Sequence, residues 1–148
     1  QGIIIVRQIV ERGGRQREQI RHPRRSKHNA RRKDLSQTYQ WVAELRVQKK
    51  YPNCEVLNSY YVAHDGNHLW YEVILLDRAH PAIANDSRYK GVIGQKGRVY
   101  RGLTSSSRKS RGLLHKGKGA EKLRPSRTAN LKRRKKYTNM DRPTASYR

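Results

Sequence analysis

The stretch EVLNSYYVAHDGNHLWYEVILLD, residues 55–77, carries the strongest local structural signal in the chain. Its two ends, residues 55–62 and 69–77, are rich in Val, Ile, Leu, Tyr and Trp and flank Ala63-His64-Asp65-Gly66-Asn67. β-Branched and aromatic side chains suit a pleated surface, and Asp-Gly tolerates the positive φ that a tight reversal needs. The pattern predicts a β-hairpin. In its second strand Leu69, Tyr71, Val73 and Leu75 share one face, while Trp70, Ile74 and Leu76 share the other with Glu72. Both faces are partly apolar, so each side needs cover.

Outward from the hairpin, IIIVRQIV at residues 3–10 predicts a further strand that ends before Gly13-Gly14. Asp34 with Gln37 three residues later resembles a capping box. Trp41, Val42, Leu45, Val47 and Tyr51 then form an imperfect apolar side that Pro52 ends, which predicts a helix over residues 35–50. Residues 79–86 suit a short helical turn, and residues 89–99, with Gly91, Gly94 and Gly97, suit an irregular loop. The expected fold class is α+β, a small mostly antiparallel sheet with a packed helix, flanked by long basic extensions.

Charge divides the chain in the same way. Its 148 residues hold 35 Lys and Arg against 11 Asp and Glu, a net charge of +24. Residues 1–35 carry 11 basic and 3 acidic side chains (+8), residues 36–100 carry 8 and 6 (+2), and residues 101–148 carry 16 and 2 (+14). The middle segment also holds both tryptophans and seven of the nine tyrosines. The expected organisation is a first strand and basic arm over 1–35, a globular core of helix plus hairpin over 36–100, and a basic extension over 101–148. Such an excess of cations needs a polyanion to neutralise it.

The candidate phosphate-binding residues follow from the two basic stretches. The first carries Arg12, Arg15, Arg17, Arg21, Arg24, Arg25, Lys27, Arg31 and Arg32, with Gly13 and Gly14 at its start. The second carries Arg101, Gly102, Arg108, Lys109, Ser110, Arg111, Lys116, Lys118, Lys122, Arg124, Arg127, Lys132, Arg133 and Arg134. Guanidinium forks reach phosphate oxygens in pairs, and small residues let the backbone come close. No helix-turn-helix, zinc-finger spacing or leucine-zipper heptad is present, so recognition of folded RNA by shape and backbone is expected over reading of a DNA sequence.

Other classes receive less support. His64, Asp65 and His68 could suggest a metal site or an RNA-processing enzyme, but they straddle a turn whose Asp and Asn are favoured for geometry, and no further ligand stands at a usual spacing. A histone-like DNA compactor is the second rival. Lys116-Gly117-Lys118-Gly119 and Gly94-Gln95-Lys96-Gly97 lack the spacing of a phosphate loop. Cys54, the single cysteine, suits a small packing residue and a reducing compartment. Trp41, Trp70, Tyr60, Tyr61 and Tyr71 are expected mostly in the core, with one or two facing RNA. The apolar runs at residues 3–6 and 73–76 are too short to span a bilayer, and no signal-peptide pattern appears. The chain starts at Gln1 and enters a strand almost at once, which suggests further sequence upstream.

With these segments placed, the chain resembles a known family, the large-subunit ribosomal proteins of archaea and eukaryotes known as L-fifteen-e. The resemblance rests on QGIII at 1–5, ERGGR at 11–15, YPNCEVLNSYYV at 51–62, WYEVILLD at 70–77, HPAIAND at 80–86, RGLTSSSRKSRGL at 101–113 and KGKGAEKLRPS at 116–126. It implies an α+β domain whose basic extensions lie among rRNA helices, in a cytoplasmic ribosome. The implied partners are large-subunit rRNA and neighbouring ribosomal proteins, with no membrane, no homo-oligomer, no cofactor, no metal and no catalytic residue. Ser106 and Ser107 stand where the family motif has Ala-Gly, so a turn there that relies on a glycine conformation is expected to change.

Overall fold

A computed structural model describes residues 1–16, 32–33, 37–115, 117 and 120–140. The predicted hairpin is its centre. β4 (Cys54–His64) and β5 (His68–Asp77) pair antiparallel, and β1 (Ile3–Glu11) joins the other side of β5, giving the order β1-β5-β4. Register places Val6 opposite Val73, Arg7 opposite Glu72 and Ile9 opposite Trp70. A second, two-stranded ribbon pairs β2 (Arg15–Gln16) with β3 (Arg32–Lys33). The architecture is α+β, with an antiparallel sheet and a packed helix.

α1 (Tyr39–Lys50) lies across one face of the three-stranded sheet and touches every strand. It starts later than predicted. Thr38 is the N-cap, its hydroxyl accepting from Trp41 N at 3.4 Å, and its carbonyl accepts the first helical bond from Val42 N at 3.0 Å. A threonine oxygen in extended backbone fills the place assigned to Asp34, which lies outside the described residues. The helix buries Trp41, Ala43 and Val47 against Val10, Val56, Tyr71, Val73 and Leu75. Cys54 joins this cluster, and burial, then the charges of Asp77 and Glu55, pushes its thiol pKa up. That leaves it a packing residue rather than a nucleophile.

Side chains cap the outer edge of β4. Gln48 donates to Cys54 O at 2.7 Å and accepts from Val56 N at 3.2 Å, while Gln40 donates to Ser59 O at 2.9 Å. Arg98 Nη1 reaches Val56 O at 2.8 Å and Leu57 O at 3.0 Å, beside the register shift between Val56 and Asn58. Over Cys54–Ser59 these side chains take up edge groups that could otherwise pair with another chain.

The expected irregular loop at 89–99 is partly helical. α2 (Pro81–Ala84) is followed by α3 (Ser87–Ile93), capped by Asp86, whose carboxylate accepts from Arg88 N at 2.9 Å and grips the Arg88 fork at 2.7 Å. That cap outweighs Gly91, and the helix ends at Ile93 with Gly94 as its C-cap. Two further helices follow, α4 (Ser105–Ser110) and α5 (Arg127–Met140), the latter preceded by a 3-10 turn at Glu121–Leu123.

The second face of the sheet is covered only at one end among the described residues, where Leu76 and Glu55 are buried. Ile3, Ile5 and Ile9 are exposed there, and only two of the five aromatics expected mostly in the core, Trp41 and Tyr71, are buried. In the middle of this face Arg7 donates to Glu72 at 2.7 Å, and the Tyr60 hydroxyl donates to the other oxygen of the same carboxylate. These donors, Tyr60 first and Arg7 second, hold the Glu72 carboxyl below the usual glutamate range. Its contribution to stability is therefore present above that range and is lost as pH falls through its lowered folded value. Glu72→Gln is expected to flatten the loss of thermal stability between about pH 5 and about pH 3. A variant curve as steep as that of the parent would show that Glu72 has no part in acid sensitivity.

Candidate nucleic-acid interface

The segment after α3 is anchored by the core at three consecutive residues. Gly97 N donates to both Glu55 oxygens at 3.0 and 3.1 Å, Arg98 holds the β4 edge, and Trp41 Nε1 donates to Val99 O at 3.1 Å. Val99 is fully buried. The chain then reverses at Gly102, where φ is +70° and an added Cβ would stand 2.9 Å from Arg111 Cδ. Only glycine fits that conformation and that approach, and Arg111 Nη1 donates to its carbonyl at 2.9 Å.

α4 is fastened to α1 at both ends. At its start, Thr104 and Ser59 donate their hydroxyls to the two oxygens of Glu44 at 2.6 and 2.5 Å, and all three residues are buried. Thr104 also caps α4, accepting from Ser107 N at 3.4 Å, while Ser107 Oγ donates to Thr104 O at 2.8 Å. At its end, Ser110 Oγ accepts from Thr38 N at 3.1 Å. Ser106 and Ser107 are thus buried helical residues. Among the described residues no non-glycine has a positive φ, so the expected disturbance of a glycine turn there does not arise. Thr104, Ser106 and Ser107, which lie in the stretch expected to form a basic extension, are buried.

This anchoring separates the second group of candidates by role. Arg101, Arg108 and Lys109 are exposed, as a phosphate contact requires. Arg111 is half-buried, and one arm of its fork already holds the Gly102 turn. Farther along, Asn130 Nδ2 donates to Glu121 O at 3.0 Å and Arg124 O at 3.4 Å, which joins the 3-10 turn to α5. α5 presents Lys132, Arg133 and Arg134 at its exposed surface. Lys122 and Arg127 are placed by backbone alone, and Lys116 and Lys118 lie outside the described residues.

In the first group, Arg12 N donates to Asn67 O at 2.7 Å and Arg12 Nη1 to Asp65 O at 3.1 Å, which ties the start of the arm to the hairpin tip. Tyr39 fixes the next residue, its hydroxyl accepting from Gly13 N and donating to Gly13 O, both at 2.9 Å. Gly14 follows in the open. Arg15 and Arg32 lie on neighbouring strands of the small ribbon. Arg17, Arg21, Arg24, Arg25, Lys27 and Arg31 lie outside the described residues.

The hairpin tip explains its own composition. Asp65 Oδ1 accepts from Asn67 N at 2.8 Å and His68 N at 2.5 Å, and Oδ2 lies 3.2 Å from His68 Nδ1. Burial pushes the Asp65 carboxyl up, but these bonds prevail and hold it low. Its oxygens close a turn. Among the described residues no three His, Cys, Asp or Glu side chains are grouped to hold a metal ion, and no helix is long and apolar enough to cross a membrane.

The candidate residues drawn from the two arms omitted the core's own exposed cations. Lys90 and Lys96 are exposed beside the anchored segment, and so is Tyr100. The legible signal was Gly97-Arg98-Val99-Tyr100-Arg101-Gly102, in which glycines bracket basic and aromatic residues.

A compact α+β core that presents basic segments from fixed anchors is the architecture of a protein built to sit against a polyanion. The family model described as Ribosomal L15 matches residues 1–130. One relative, the large ribosomal subunit protein eL15 of Methanospirillum hungatei JF-1, is 49% identical over 138 residues, which cover 91% of this chain and 70% of the relative. The chain belongs to the ribosomal L15 family.

The geometry at α4 makes Thr104 a test of how the basic segment is held. Thr104→Val removes one of two donors from a buried carboxylate and is expected to cost about 1–3 kcal/mol in urea unfolding, whereas Thr104→Ser keeps the hydroxyl and stays near the parent. Equal stability of the valine variant and the parent would show that α4 is not secured through Glu44.

Proposed function

We propose that the protein is a structural constituent of the large ribosomal subunit that binds and stabilises folded rRNA without catalysing a reaction. The observation that carries this reading is the fastening of the basic segment at 97–111 to the core. Arg101, Arg108 and Lys109 project from a turn and a helix whose backbone is held by Glu44, Glu55 and Trp41. Cations on a rigid support lose little freedom on meeting phosphate, and their spacing selects a folded backbone rather than any polyanion. The arms around residues 12–33 and 112–136 add charge, and folded rRNA supplies the phosphates. Neighbouring large-subunit proteins are the other proposed partners, within a cytoplasmic ribosome, and the protein acts as a single copy.

Family membership supports this reading, as does the name of the relative, which places that protein in the large subunit. An enzyme built on His64, Asp65 and His68 finds less support, because the Asp65 oxygens serve the turn.

Neutralising about ten phosphates gives an expected slope of log affinity against log salt of roughly −7 to −9. Arg108→Ala with Lys109→Ala should reduce the size of that slope by about 1.5 and leave the fold intact, since neither side chain is buried. Filter binding of deproteinised large-subunit rRNA across a salt series measures both. An affinity nearly independent of salt would refute the reading.

A further inference from the structure

We propose that Tyr100 is a stacking platform for one unpaired RNA base, with Arg101 beside it to take the adjoining phosphate. The proposal deepens the rRNA-binding reading and rests on it. Tyr100 is 57% exposed, the highest value among the exposed aromatic side chains of the described residues. It stands between buried Val99 and the Gly102 reversal, on the turn that Glu55, Trp41 and Arg111 immobilise.

The ring is positioned as well as exposed. Gly97 has φ +69°, and a Cβ added there would lie 3.6 Å from Tyr100 Cδ2, so the ring runs alongside a residue without a side chain. Tyr100 N donates to Gly97 O at 3.1 Å and closes the same turn. An aromatic ring carried on fixed backbone has only two side-chain torsions to immobilise, which keeps the entropy cost of stacking small. Lys96 and Arg101 are exposed on either side of it in sequence, and the Arg111 fork lies across the Gly102 end of the turn. Cations around an exposed ring match the two parts of a nucleotide, a π-face and a phosphate.

The other exposed or half-exposed tyrosines are engaged differently. The hydroxyl of Tyr60 is bonded to Glu72 and that of Tyr61 to His64, while Tyr89 lies under the Arg88 guanidinium at 5.5 Å. Tyr100 makes no hydrogen bond through its hydroxyl and no ring contact to another described residue. Every base has a π-face, so the site takes a base of any identity provided that it is unpaired. A fully paired helix offers it nothing.

The test uses the full chain and two probes, a single-stranded decamer of adenylate and a blunt RNA duplex. Tyr100→Ala and Tyr100→Leu are expected to weaken decamer binding roughly five- to hundredfold, Tyr100→Phe to stay within about twofold, and all three to bind the duplex like the parent. The salt slope for the decamer should be unchanged in all three, because no phosphate contact is lost, whereas Arg108→Ala with Lys109→Ala lowers the slope on both probes. Undiminished decamer binding by Tyr100→Ala, equal losses on decamer and duplex, or full retention by Tyr100→Leu would each overturn the stacking site. If only the Arg108 and Lys109 variant weakens binding, the stacking site fails and the rRNA reading stands. If the parent binds neither probe and no rRNA, both fail.

Discussion

Glu44 is fully buried in the middle of α1, and hydroxyls, not a cation, satisfy it. A carboxylate removed from water is costly unless its oxygens are hydrogen-bonded. Ser59 brings β4 to one oxygen and Thr104 brings the start of α4 to the other. One group therefore joins the helix, the sheet and the basic segment. The acceptor also explains why Thr104, the first residue of an unremarkable polar string, is buried: its hydroxyl meets a partner that demands a donor. Glu55 repeats the arrangement at the other side of the same segment, where it receives Gly97 N. Two buried acids thus hold a segment whose outer surface is basic.

The hairpin, the first strand and the packed helix were legible because their signals are local. Asp-Gly between apolar runs, a β-branched start and an apolar helix side each lie within a dozen residues. The family was legible too, from motifs spread over most of the chain. The start of α1 was misplaced because Asp34 and Thr38 are both good caps and only the packing of Trp41 decides between them. The burial of Thr104, Ser106 and Ser107 was not legible at all. Ser-rich basic sequence reads as solvated tail, and the acceptor that reverses this reading lies 60 residues away. Tyr100 was overlooked for a related reason. Three glycines suggested an irregular loop, while the anchors that make the turn rigid come from α1, β4 and α4.

The two faces of the sheet have unlike surroundings. The face under α1 is a dense apolar cluster, and the basic turn and α4 gather on the side of α1 and β4. The opposite face is lined with isoleucine around the neutralised pair of Arg7 and Glu72. Among the described residues, the anchored basic turn and α4 lie on the α1 and β4 side, and the ion pair of Arg7 and Glu72 lies on the other.

The topology also fixes an order of events in folding. β4 and β5 meet across a turn of a few residues, and α1 reaches β4 over short separations, as in the pairing of Glu44 with Ser59. β1 is different, since Arg7 and Glu72 are 65 residues apart. Closing that loop instead of a four-residue one costs about 2.5 kcal/mol more in chain entropy. The intervening segment is also crowded with like charge. The hairpin and α1 can therefore assemble as a local unit, with β1 added last to complete the central strand. The isoleucine-bearing edge of the sheet then becomes ordered after the hairpin and α1, as the chain closes its long loops.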